Sequence, residues 1–177
     1  RNEWLLILGT LILSGFFSGS EIAFVTANKL KLEVASRRSN MVAKAIDFFK
    51  NRPESFLTTT LVGNNIVNVV YATLMAIFLA DPIEEMYLQY LNETPSDLMV
   101  LSLQTIVASL LIMVFGEIVP KVIFRAQADA LVHFIALPLR ALHIALRPLI
   151  IIADSASKQL IRLISSEPED ASSLYRR

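Results

Sequence analysis

The chain has 177 residues, 54% of them hydrophobic and 18% charged, and its 16 basic residues are balanced by 16 acidic ones. Soluble domains usually carry about a quarter charged residues, so this composition points into a membrane. Zero net charge gives no basis for nucleic-acid binding, and the absence of cysteine excludes disulfides, thiolate metal sites and cysteine nucleophiles.

Three stretches, 4–27, 56–80 and 98–124, stay apolar over the ~20 residues that a helix needs to cross a bilayer. The first opens on Trp4, where an interfacial anchor belongs, and its apolar run is too long for the core of a cleaved signal peptide. Because the chain opens on Arg1 and not on methionine, residues upstream are expected.

The segment 28–55 carries Lys29, Lys31, Arg37, Arg38, Lys44, Lys50 and Arg52 against Glu33, Asp47 and Glu54. Its composition predicts one or two short helices dipping toward the membrane and ended by Pro53. The segment between the second and third spans carries Asp81, Glu84, Glu85, Glu93 and Asp97 and no basic residue. Basic loops stay cytoplasmic, so the first loop is expected inside, the N-terminus outside and the C-terminus cytoplasmic.

After the third span, 130–152 is long and apolar enough for a fourth crossing. Within 129–164, however, Asp129, His133, Arg140, His143, Arg147, Asp154, Lys158 and Arg162 follow one another by three, four or seven residues, as one polar stripe on a helix. Charges in mid-span are costly, whereas a helix lying in the headgroup layer puts such a stripe in water, so a juxtamembrane belt is the favoured reading. Pro138 and Pro148 predict kinks or breaks that let it wrap around a bundle. The expected fold is all-α: a transmembrane domain over 1–164 with three spans and an amphipathic belt helix, then a polar linker over 165–177.

Each span carries a polar insertion. The first has Ser14, Ser18, Ser20 and Glu21; the second has Thr58, Thr59, Thr60, Gly63, Asn64, Asn65 and Asn68; the third has Gly116 and Glu117, followed by Pro120 and Lys121. With alternating directions, all three fall in the cytoplasmic half of the bilayer. Hydroxyls, amide carbonyls and a carboxylate are the donors that a hard cation such as Mg²⁺, Ca²⁺ or Na⁺ selects. Gly15, Gly19, Gly63 and Gly116 allow close backbone approach, and Pro120 removes the donor that α-helical spacing would give the Gly116 carbonyl.

Plainer readings stand beside this one. Gly15 to Gly19 is a GxxxG pattern and Ser14 with Ser18 is small-xxx-small, both packing signatures. Asn64 and Asn65 could serve as interhelical glue. Glu117 could pair with Lys121 one turn on, unless Lys121 snorkels to the headgroups. Glu21 lies close enough to the end of its span for a structural role. No phosphate-cradling loop and no serine triad is present, so the chain is not expected to be an enzyme.

The motifs SGFFSGSEIAF (14–24), TTTLVGNNIVNV (58–69) and FGEIVPK (115–121) together closely resemble the CorC / cyclin-M (CNNM) family of magnesium transporters over essentially the whole chain. That resemblance implies a homodimer in a bacterial or archaeal plasma membrane, exporting Mg²⁺ with Na⁺ as the driving ion. It also implies a following cytoplasmic pair of cystathionine-β-synthase (CBS) domains, through which alone nucleotide would bind. Carried onto this sequence, it places Ser14, Ser18, Asn64, Asn65, Gly116 and Glu117 around the ion. Gly15, Gly19, Ser20, Glu21, Gly63, Pro120 and Lys121 are supporting positions. A Mg²⁺-sensing regulator that binds without transporting is the alternative, and a structural dimerisation domain is a third.

Overall fold

The computed structural model describes residues 3–164, all of whose regular elements are helical. Helix α1 (Glu3–Thr26) breaks just before Asn28, whose side-chain oxygen accepts the Leu30 and Lys31 N–H groups and so starts α2 (Lys29–Ser36). Asn40 caps α3 (Met41–Asn51) in the same way, accepting from Ala43 N–H. Pro53 both stops α3 and opens α4 (Pro53–Leu91), because the first helical position needs no N–H donor.

At 39 residues, α4 outruns the expected span of 56–80. At 1.5 Å per residue it is about 58 Å long, against a hydrocarbon core of about 30 Å. The acidic segment after residue 80 is therefore helical as far as Leu91, with Pro82 inside it, and ends at Asn92 in the left-handed conformation with φ 55°. The third apolar stretch is split: α5 (Asp97–Leu111) passes into a π-helical segment (Ile112–Ile118) and then α6 (Val119–Ala126). Helices α7 (Ala128–Ala145) and α8 (Arg147–Ile164) follow, with the break at Leu146 just ahead of Pro148.

Helix α1 is the hub. It runs antiparallel to α4: Phe24 stacks on Phe56, Phe17 fills the space above Gly63, and Ile7 clusters with Tyr71 and Met75. Against α6 it runs parallel, with Gly15 receiving Pro120 and Gly19 receiving Phe124. Farther along, Tyr71 donates to the Ala108 carbonyl at 3.1 Å and Gln104 donates to the Ala76 carbonyl at 3.0 Å, tying α4 to α5.

Four helical stretches are long and apolar enough to cross a membrane by length and composition: α1, α4, the α5–α6 run over 97–126, and α7. The first three overlap the expected spans, α4 running well beyond its own. Helix α7 turns Val132, Ile135 and Ala136 inward against Ala23, Ala27, Leu32, Ala45 and Ile46, and Leu139 against Phe17, Phe49 and Phe56, while Phe134 and Ile144 stay exposed. The expected water-facing stripe needs one correction. His143 is buried, at hydrogen-bond distance (2.7 Å) from Thr59 Oγ1 and packed on Phe48 and Phe49, because it lies at the edge of the stripe that adjoins the buried face. The side chains of Asp154, Lys158 and Arg162, and the expected linker 165–177, lie outside the described residues.

The basic loop is organised by carboxylates. Asp129 accepts from Asn28 N–H at 2.8 Å and pairs with Lys31 at 2.7 Å, pinning the start of α2 to α7. Glu33 accepts from Lys50 at 2.7 Å and from Arg37 at 3.2 Å, pinning α2 to α3. These bonds, that from Lys50 first, hold the Glu33 carboxyl below its ordinary range, and the same bond raises the Lys50 ammonium. A lowered carboxyl contributes stability above its unfolded pKa and loses it as pH falls through the folded value. The raised lysine contributes below its unfolded pKa and loses it as pH rises through the folded one. The clamp is thus fully present at neutral pH. Chemical unfolding should show Glu33→Gln less stable than wild type there, by a small margin because the pair is solvent-exposed, and the two should converge in strong acid.

Candidate cation site

Where α1, α4 and the π segment meet, three side-chain oxygens converge. Ser14 Oγ lies 3.1 Å from Asn64 Oδ1 and 2.9 Å from Asn68 Oδ1. Ser14 is fully buried and both asparagines are half-buried. The third wall is Gly116, where a Cβ would stand 3.0 Å from Ser14 Oγ. Only the absence of that Cβ lets the π segment close on the cluster.

The proton count is informative. A serine hydroxyl has one hydrogen and an amide carbonyl has none, so with both carbonyls facing inward three oxygens share a single proton. Turning one amide would point its NH₂ at Ser14 and close the network without an ion. One turn along α1, Ser18 Oγ is buried and makes no hydrogen bond. Serine and threonine in these helices commonly spend the hydroxyl on the preceding turn: Ser20 on the Phe16 carbonyl, Thr26 on Ile22, Thr73 on Val69 and Ser102 on Leu98. Ser18 departs from that habit, and a buried unpartnered hydroxyl is costly.

The π segment changes which backbone carbonyl lacks a helical donor. Val119 N–H donates five residues back, to the Val114 carbonyl. In that register the residue deprived of its donor by Pro120 is Phe115, not Gly116 as α-helical spacing predicts. The Phe115 carbonyl faces α1, 3.7 Å from where a Cβ on Gly15 would be. Glu117 is half-buried within the π segment, and neither it nor Lys121 makes an ion pair among the described residues.

The structure therefore brings Ser14, Asn64 and Gly116 together, with Ser18 one turn along α1 and Glu117 next to Gly116 in the π segment. It does not bring Asn65 to them: that side chain is exposed on another face of α4 and donates to its own helix, at the Leu61 carbonyl. Glu21 is exposed, and Ser20 is occupied by its own helix. Gly15, Gly19 and Gly63 receive Pro120, Phe124 and Phe17 and act in packing. Asn68, present in the second insertion but not singled out, belongs to the cluster. The signal for it was the four-residue spacing from Asn64, which puts both amides on one helix face and Asn65 off it. Among the described residues no three His, Cys, Asp or Glu side chains gather, and Glu117 is the carboxylate nearest to the cluster in the chain, next to Gly116.

A family model described as the cyclin M transmembrane N-terminal domain matches residues 5–177. The chain is 24% identical over 152 residues to the UPF0053 inner membrane protein YfjD of Escherichia coli, covering 86% of this chain and 32% of that protein. It is 27% identical over 176 residues to the UPF0053 protein sll0260 of Synechocystis, covering 96% and 38% respectively. A UPF0053 protein of Haemophilus influenzae is 23% identical over 161 residues, covering 91% and 35%. The chain thus spans roughly a third of the length of these relatives.

Proposed function

We propose that this chain, which belongs to the cyclin M transmembrane domain family and is an integral membrane protein, binds Mg²⁺ within the bilayer and exports it from the cytoplasm. The observation that carries the reading is the convergence of the Ser14, Asn64 and Asn68 side chains beside the unpartnered hydroxyl of Ser18. Mg²⁺ takes octahedral oxygens at about 2.1 Å, which sets neighbouring oxygens about 3.0 Å apart. The Ser14–Asn64 and Ser14–Asn68 separations of 3.1 and 2.9 Å match that edge. Ser14, Ser18, Asn64 and Asn68 would supply neutral oxygens, and Glu117 the negative charge. The π turn would offer the Phe115 carbonyl, that of Gly116 would join only by giving up the donor that the π register assigns it, and Asn65 only after rotation of its side chain.

In this proposal α1, α4 and the α5–α6 run are the three spans, with the N-terminus outside and the C-terminus in the cytoplasm. Helix α7 lies in the plane of the plasma membrane as a belt; its inward apolar face and the ion pair of Asp129 with Lys31 favour that placement. Release outward follows a rearrangement of the spans driven by Na⁺, in a homodimer. Nucleotide control belongs to a CBS-domain region beyond this chain.

The test is a flux measurement on protein in liposomes loaded with a Mg²⁺-sensitive dye, with and without a Na⁺ gradient. Export predicts Mg²⁺ movement that accelerates with the gradient. Binding without flux would replace transport by sensing, and absence of binding would leave only a structural domain.

A further inference from the structure

Away from the oxygen cluster, a cavity of about 670 Å³ opens between α3 and α7. Its lining combines three cationic side chains, Lys44, Arg52 and Arg140, with the apolar Leu137 and Ile144 and the ring of Phe48. The Arg140 guanidinium carbon lies 3.4 Å from the centre of that ring and the Arg52 guanidinium carbon 4.9 Å from it. Stacking on a ring fixes where a guanidinium sits without neutralising it. None of the three cations has a carboxylate within ion-pair distance among the described residues. The one carboxylate lining the cavity, Asp47, is engaged elsewhere: it accepts from Asn51 at 3.1 Å and lies 3.6 Å from Lys50.

We infer that this cavity binds the phosphate headgroup of an anionic membrane lipid, with Arg52 and Arg140 as the phosphate clamp and Lys44 at its rim. Two like charges held about one ring, neither in an ion pair among the described residues, call for an external anion. Guanidinium suits phosphate because its donors match two oxygens at once. The source is a lipid because the cations share their cavity with Leu137 and Ile144, the latter 60% exposed, which give an acyl chain an apolar path. Basic pockets at the cytoplasmic face of membrane proteins meet anionic headgroups there, and the basic loop is the side expected inside. This placement is independent of the oxygen cluster, so the lipid site stands or falls separately from Mg²⁺ transport.

Native mass spectrometry of the chain in detergent, titrated with phosphatidylglycerol or with phosphatidylcholine, tests the proposal. Wild type should retain phosphatidylglycerol preferentially. Each removed charge should lower that retention about fivefold, so Arg52→Gln with Arg140→Gln should erase the preference. Because Arg140 packs on Phe48, Lys44→Gln with Arg52→Gln provides a second variant that leaves that stack alone, and Arg140→Lys should keep most of the binding. Equal retention of both lipids by wild type, or an unchanged preference in both double variants, would overturn it. If inorganic phosphate at millimolar concentration displaced the lipid completely, the site would be one for free phosphate, and the assignment of a lipid would be wrong.

Discussion

Glu117→Gln should weaken Mg²⁺ binding at least about 30-fold, or about 2 kcal/mol, and abolish flux at submillimolar Mg²⁺. Two unit charges 4 Å apart interact by about 4 kcal/mol at an effective dielectric of 20, and a divalent ion doubles this. Desolvation of the ion and the carboxylate removes much of that gain, which leaves the smaller figure. The substitution keeps the side chain's size and one carbonyl oxygen, so packing around the π segment should survive. Isothermal calorimetry of detergent-solubilised protein reads the affinity directly. Wild-type affinity in Glu117→Gln would remove the carboxylate from the site. Glu21→Gln is the control: that carboxylate is exposed, and its loss should change affinity less than about twofold.

The largest effect on stability is expected at Gly63. A Cβ built there would overlap the ring of Phe17, which is 3% exposed and held between Phe49, Phe56 and Leu139. The ring is already buried among these neighbours, so Gly63→Ala should cost about 1–3 kcal/mol through overpacking. For a chain of this length that corresponds to a fall of roughly 5 °C in apparent melting temperature. Shortening the ring should relieve the clash: in a cycle with Phe17→Leu, the two substitutions should couple by more than about 0.5 kcal/mol. Strict additivity would mean that the contact does not set the α1–α4 spacing.

Most of the architecture was legible because it follows from long apolar runs and strong punctuation. Asn28, Asn40 and Pro53 start helices by the rules that make such residues recognisable in a sequence. The extent of α4 was not legible, since an acidic segment containing Pro82 reads as a loop wherever tertiary context is unknown. His143 was misplaced for a related reason: at the boundary between two helix faces, a residue's side is decided by what packs there, here Thr59, Phe48 and Phe49. At the site, composition exposed the oxygen-rich insertions, but composition treats Asn64, Asn65 and Asn68 alike. Helix rotation separates them, and that rotation could have been applied to the sequence. The π register of 112–118 could not, because no local residue preference encodes the extra residue in the turn. It moved the orphaned carbonyl from Gly116 to Phe115.

The three glycine contacts of α1 also determine where the molecule can yield. Pro120 in the notch at Gly15, Phe124 at Gly19 and Phe17 over Gly63 act like detents: each blocks sliding or rotation unless a bulky group first climbs out of its seat. Helices α1, α4 and α6 are thereby interlocked through three seats. Between them lies the π segment, whose turn holds a surplus residue relative to the α-helix. That turn carries Gly116 and Glu117, so the irregular turn of the third span and the wall of the oxygen cluster are the same seven residues.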